Sequence, residues 1–199
     1  MDNNKAFTAG VRIGGLTDRT EIKILLCYLL SSLKFPITSD QLTESISGQE
    51  LVNYFELQDA LHHLVSQNLI LEENGFYSIL PQGEEIACQL EKSLPFSVKE
   101  RAYNAAVQLL QYESLKKENR YEISPLEGGG YLLKCSISDG DFPLFSIELY
   151  MPDEKLAKIS GEQFILKGQD IFKCVLGITT DSPDMYMDFL KQASVKKED

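Results

Sequence analysis

No stretch of this sequence approaches the roughly 20 consecutive apolar residues that a membrane-spanning helix needs. Its start, MDNNKAF, is polar and lacks the basic head, apolar stretch and small-residue cleavage site of a secretory signal. The expectation is a cytoplasmic protein with no membrane partner. Histidine is scarce, with two residues, His62 and His63. Adjacent helical positions diverge by about 100°, so this pair makes a poor metal site, and no HExxH is present. The four cysteines, Cys27, Cys88, Cys135 and Cys174, are far apart, form no CxxC and have mostly apolar neighbours. They read as buried free thiols and not as a disulfide framework or a zinc knot. No P-loop, GxGxxG, Ser-His-Asp order or Cys-His pairing is found. Neither enzymatic activity nor a metal or cofactor is expected. Basic residues are outnumbered, 19 against 30 acidic, for a net charge of −11. Such a chain repels polyanions as a whole, which argues against unspecific adhesion to nucleic acid or membrane while leaving room for one local basic patch.

What is present is enough apolar material, 43 % of 199 residues, for a core in one domain or two small ones. Charge does not separate the halves. Residues 1–99 carry 13 acidic and 7 basic residues, and residues 100–199 carry 17 and 12.

Residues 1–20 are glycine-rich without helical period and read as an arm with a short strand. Ile22, Leu25, Leu26, Leu29 and Leu33 then recur at three and four, the mark of a buried helical face. This helix is apolar nearly all round, so it needs cover on more than one side, from its own domain or a partner. Pro36 ends it. Thr38 with Gln41 fits a capping box for a short second helix with Leu42 and Ile46 inward. Two boxes compete for the third helix, Ser47 with Glu50 and Asn53 with Glu56. That helix turns Leu57, Leu61, Leu64 and Val65 inward and Glu56, Asp59, His62, His63 and Ser66 outward. Two short strands follow around Asn74-Gly75, a strong signal for a two-residue hairpin turn. Pro81 closes the second strand, and a fourth helix leads to Pro95. Helix, short helix, helix, hairpin is the outline of a winged helix.

SVKERAYNAAVQLLQYESLKKENR is the longest periodic stretch and predicts a linking helix. Its alanines allow close backbone approach, which makes it a candidate dimer element. Beyond it the period changes to two. Tyr131, Leu133, Cys135 and Ile137 alternate, as do Phe145, Ile147 and Leu149, so a three-stranded antiparallel sheet is expected. One or two helices should pack on one face of it, with Gly161, Gly168 and Gly177 weighing against a regular helix. Residues 182–199 suggest a last helical turn and a charged tail. The fold class is therefore α+β. Residues 1–95 form a winged-helix domain with an N-terminal arm, 96–118 a linking and dimerisation helix, and 119–199 a small domain with a sheet and one or two helices.

The segments GGLTDRTEIKILLCYLL (14–30), NYFELQDALHHL (53–64) and GFYSILPQGEEIACQLEKSLP (75–95) together resemble an uncharacterised family of cytoplasmic Firmicute proteins with a winged-helix N-terminal domain. The segment YSILPQG (77–83) is similar to the exit from the wing in regulators of the PadR and MarR types. The resemblance implies a recognition helix from Asn53 to Gln67 and a wing tip from Glu72 to Phe76. The base-contacting candidates are Asn53, Gln58, His62, His63 and Gln67, since Asn and Gln pair with adenine in the major groove. Arg12, Arg19, Lys23, Lys34, Lys92 and Lys99 are the candidate phosphate contacts. The chain departs from such regulators in having no arginine on that helix and two glutamates, Glu72 and Glu73, at the tip.

GGLTD (14–18) and EGGGY (127–131) serve turns more simply than phosphates. Asp139, Asp141 and Glu148 include a turn sequence and no catalytic pair. The aromatics Tyr54, Phe55, Phe76 and Tyr77 divide between the core and an interface. The leading expectation is a dimeric DNA-binding transcriptional regulator, with double-stranded DNA and a second copy as partners. Its rival is an interaction or structural module that meets a protein partner and has no nucleic-acid contact.

Overall fold

The computed structural model describes residues 4–187. The chain is mixed α+β and forms two compact units, Met1–Leu110 and Gln111–Asp199.

The first unit opens with an arm that makes one isolated bridge, Lys5 to Asp18, where a short strand was expected. Helix α1 (Arg19–Leu33) starts where the Asp18 side chain accepts the amides of Thr20 and Glu21. Such a cap satisfies donors that no helical carbonyl reaches. It ends before Pro36, because Lys34 adopts the left-handed conformation at φ 59°. Ile22, Ile24, Leu25, Leu26, Cys27, Leu29, Leu30 and Leu33 are all buried. The cover comes from the same unit, since α1 packs on α3 (Tyr54–Ser66), α4 (Pro81–Leu90) and β3 (Phe76–Ile79).

Strand β1 (Ile37–Thr38) leads into α2 (Ser39–Ile46), whose capping box of Thr38 and Gln41 is formed on both sides. Asn53 caps α3, accepting from Phe55 and Glu56. Strands β2 (Ile70–Glu73) and β3 meet at Asn74 and Gly75, whose φ angles of 53° and 80° suit the tight hairpin. The antiparallel sheet has the order β1-β3-β2. Pro81 does more than end β3. It is the first residue of α4, where its missing N–H costs nothing.

Helix α5 (Phe96–Glu118) follows and continues across the division between the units. Its buried residues are Val98, Ala102 and Ala106, and they belong to the first unit's core. Two of the alanines that suggested a dimer element are thus used within the chain.

In the second unit β4 (Asn119–Pro125), β5 (Tyr131–Asp139) and β6 (Phe142–Met151) form the antiparallel sheet β4-β5-β6. A single helix, α6 (Glu154–Thr179), packs on all three strands. Its glycines are there for close approach. A Cβ on Gly161 would stand 2.5 Å from the Tyr121 ring, and one on Gly168 would stand 3.1 Å from the Asn119 side chain. The hydroxyls of Tyr112 and Tyr121 both donate to Glu162 on α6. These two bonds hold its carboxyl below the usual range. Burial, and then Glu162 itself, push the Tyr112 hydroxyl up to about 12. A helical turn occupies residues 184–187, and the charged tail lies outside the described residues.

Two of the four thiols depart from expectation. Cys27 and Cys135 are buried, and burial pushes both up to about 11, but Cys88 is exposed and Cys174 half-buried. No helix among the described residues is long and apolar enough to cross a membrane.

Candidate nucleic-acid interface

Helix α3 buries Leu57, Ala60, Leu61 and Leu64. Its period leaves Asp59, His62, His63, Ser66 and Gln67 exposed. The Asp59 carboxylate lies 4.0 Å from the His63 ring. The remaining candidate readers are already engaged. Asn53 is buried, caps the helix and donates to the Ala9 carbonyl at 2.7 Å. The Gln58 amide donates to Thr43 Oγ1 at 3.1 Å and lies 3.4 Å from Ser39 Oγ, tying α3 to α2.

Glu56 corrects the sequence reading. It was placed on the outer face, yet it is 7 % exposed. The arm covers this side of α3. Arg19 donates from Nε at 2.9 Å and from Nη2 at 3.1 Å to the two carboxylate oxygens, and the Phe7 amide adds a third bond at 2.9 Å. The Arg19 hydrogen bond, joined by the Phe7 amide, holds the Glu56 carboxyl below its ordinary value although burial works the other way. Arg19 is raised in return, mainly by the same bond. A group depressed on folding contributes stability above its unfolded pKa and loses it as pH falls through the folded one. The arm attachment is therefore complete at neutral pH and weakens on acidification below the ordinary carboxylate pKa of about 4.3. Carboxyl-carbon NMR should give Glu56 a titration midpoint below those of exposed glutamates, and Arg19→Ala should raise it. A midpoint that Arg19→Ala leaves in place would contradict the pairing.

The candidate phosphate contacts do not form one cluster. Arg19 and Lys34 stand at opposite ends of α1, about 22 Å apart at 1.5 Å per residue. Arg12 is exposed at the tip of the arm, and its side chain has no partner among the described residues. Lys23 is half-buried, and Lys34 and Lys92 are exposed. Lys99 is half-buried with its Nζ 5.2 Å from the Tyr28 ring centroid.

At the hairpin, Glu72 stands opposite Tyr77 in the cross-strand register, and burial, then the nearby Glu72 charge, push the Tyr77 hydroxyl up. Glu73 lines an open groove of about 440 Å³ with Pro36, Asn74, Phe76 and Ser78. Of the four aromatics weighed for an interface, Tyr77 is buried while Tyr54, Phe55 and Phe76 are exposed.

The other motifs resolve as turns and ladders. Gly14, Gly129 and Gly130 have positive φ in tight turns. Glu148 faces Lys134, which also faces Glu122, giving a charge ladder across the sheet. Among the described residues no group of three or more His, Cys, Asp or Glu side chains could hold a metal ion.

The latch on Glu56 is what sequence reasoning missed. Arg19 and Glu56 lie 37 positions apart in different elements, and no local signal joins them.

The structural class is thus an α+β protein with two three-stranded antiparallel sheets and a helix, α3, that keeps one polar face exposed beside a hairpin. The chain belongs to the family described as domain of unknown function DUF4364, whose pattern matches residues 22–178. No curated protein and no solved structure matches it.

Proposed function

We propose that the first unit is a winged-helix domain and that the protein is a cytoplasmic DNA-binding transcriptional regulator acting as a dimer. The observation that carries this is α3 itself. It follows α2 in helix-turn-helix order, stands beside the β2–β3 hairpin, and presents His62, His63 and Gln67 to solvent. In this reading α3 enters the major groove and β2–β3 is the wing. Two copies would read half-sites about 34–36 Å apart.

Selection from a random duplex pool at moderate salt tests the proposal. The parent chain should enrich a sequence, with affinity that falls steeply as salt rises. His62→Ala with Gln67→Ala should weaken binding to the enriched duplex by about 10- to 100-fold, the scale of one good base contact. Unchanged affinity in a gel-shift titration would remove α3 as the reader.

A second reading rests on Tyr54 and Phe55. Both are exposed at the head of α3, with ring centroids 5.4 Å apart. Exposed aromatics anchor protein interfaces well. A chain that enriches no duplex and retains a protein partner on purification would favour an interaction module.

A further inference from the structure

The arm is built onto α3 and does not trail from it. The Arg12 amide donates to the Glu50 carbonyl and the Leu16 amide to the Leu51 carbonyl, both at the α2–α3 turn. Asn53 holds Ala9, and Glu56 holds Phe7 and Arg19. Gly10 and Gly14, at φ 77° and 86°, bracket the turn that carries Arg12. A Cβ on Gly15 would come within 2.8 Å of the Leu51 carbonyl oxygen, so the turn lies flat against the α2–α3 connection. Ile13 at its tip is fully exposed. An unpaired Glu56 at this place would repel a polyanion, but here its charge is matched by Arg19 inside the latch. That leaves the guanidinium of Arg12 as an uncommitted cation at the α2–α3 turn.

We propose that Arg19 and Glu56 are a positioning pair that clamps the arm to the head of α3, so that Arg12, held at the α2–α3 turn, serves as a phosphate contact. This rests on the nucleic-acid reading of α3 and adds to it a fixed cationic element that the helix lacks. The arm acts as part of the binding surface and not as a cover over it.

The test uses the full chain and the duplex enriched by the parent. Arg12→Ala, at an exposed turn, should lower the steepness of log affinity against log salt by about one. Arg19→Ala combined with Glu56→Ala keeps the net charge and removes the clamp, the acceptor for the Phe7 amide included. In the free protein it should speed amide exchange at Ala6 and Arg12 about tenfold, the scale of losing a charge-assisted hydrogen bond, although neither amide bonds to the pair. With duplex it should reproduce the shallower salt dependence of Arg12→Ala, and the triple variant should lose no more. Faster exchange with parental salt dependence, or tighter binding once the arm is free, would overturn the inference. So would an unaltered salt dependence in Arg12→Ala. A parent chain that enriches no duplex would overturn the nucleic-acid reading itself, and this inference with it.

Discussion

Leu25→Ala will remove about 2–5 kcal/mol of stability from the first unit, the range for truncating a large buried aliphatic side chain. Leu25 is 0 % exposed in the middle of α1, and its neighbours Ile24, Leu26, Cys27 and Leu29 are buried as well. A cavity there has no flexible surface to collapse into, because cover arrives from α3, α4 and β3 at once. Domains of ordinary stability hold about 5–15 kcal/mol, so this loss is a large share of the whole. Urea titration followed by far-UV circular dichroism measures it, with amide exchange at Leu61 and Ile70 reporting the first unit alone. Ile13→Ala is the control. Ile13 is fully exposed, and its truncation should stay within about 0.5 kcal/mol. A Leu25→Ala loss no larger than the control would mean that α1 is not enclosed as described.

Gly161→Val has the second large effect, and here two forces compete. At an exposed helical position, replacing glycine gains up to about 1 kcal/mol of propensity, and less for a β-branched residue. At Gly161 even the first added carbon would stand 2.5 Å from the Tyr121 ring. The ring has little freedom to retreat, because its hydroxyl donates at 2.8 Å to Glu162, the residue that follows Gly161 in the same helix. Overpacking costs about 1–3 kcal/mol, so it outweighs the propensity gain and the net change is a loss. Thermal unfolding should show it, and the tyrosine ring signals of Tyr121 should shift as its bond to Glu162 breaks. A variant as stable as the parent, with Tyr121 unmoved, would show that α6 does not lie as close to β4 as the structure places it.

Much of the fold was written in short-range patterns. The three-and-four recurrence from Ile22 to Leu33, the Thr38–Gln41 box, the Asn74-Gly75 turn and the alternation along β5 each depend on residues within one turn or one strand, and each appears in the structure. The glycines of α6 misled for a reason of the same kind. Within the helix they count against helicity, and only the sheet against which they pack explains them. The candidate site was less legible. Exposure of His62, His63 and Gln67 follows from the period of α3. The engagement of Asn53, Gln58 and Arg19 does not, since their partners lie in other elements.

By itself, the sequence determined the kinds and order of the main elements, because propensity, caps and hydrophobic period act between residues a few positions apart; the two-residue β1 and the single bridge in the arm carry too few residues for such a period. Tertiary structure alone decided which charges are spent and which are free. An arm brought 37 to 49 residues back along the chain withdraws Glu56 from solvent and pairs it with Arg19, while Arg12 stays open. Electrostatic pairing acts through distance in space, and nothing local in the chain records that distance.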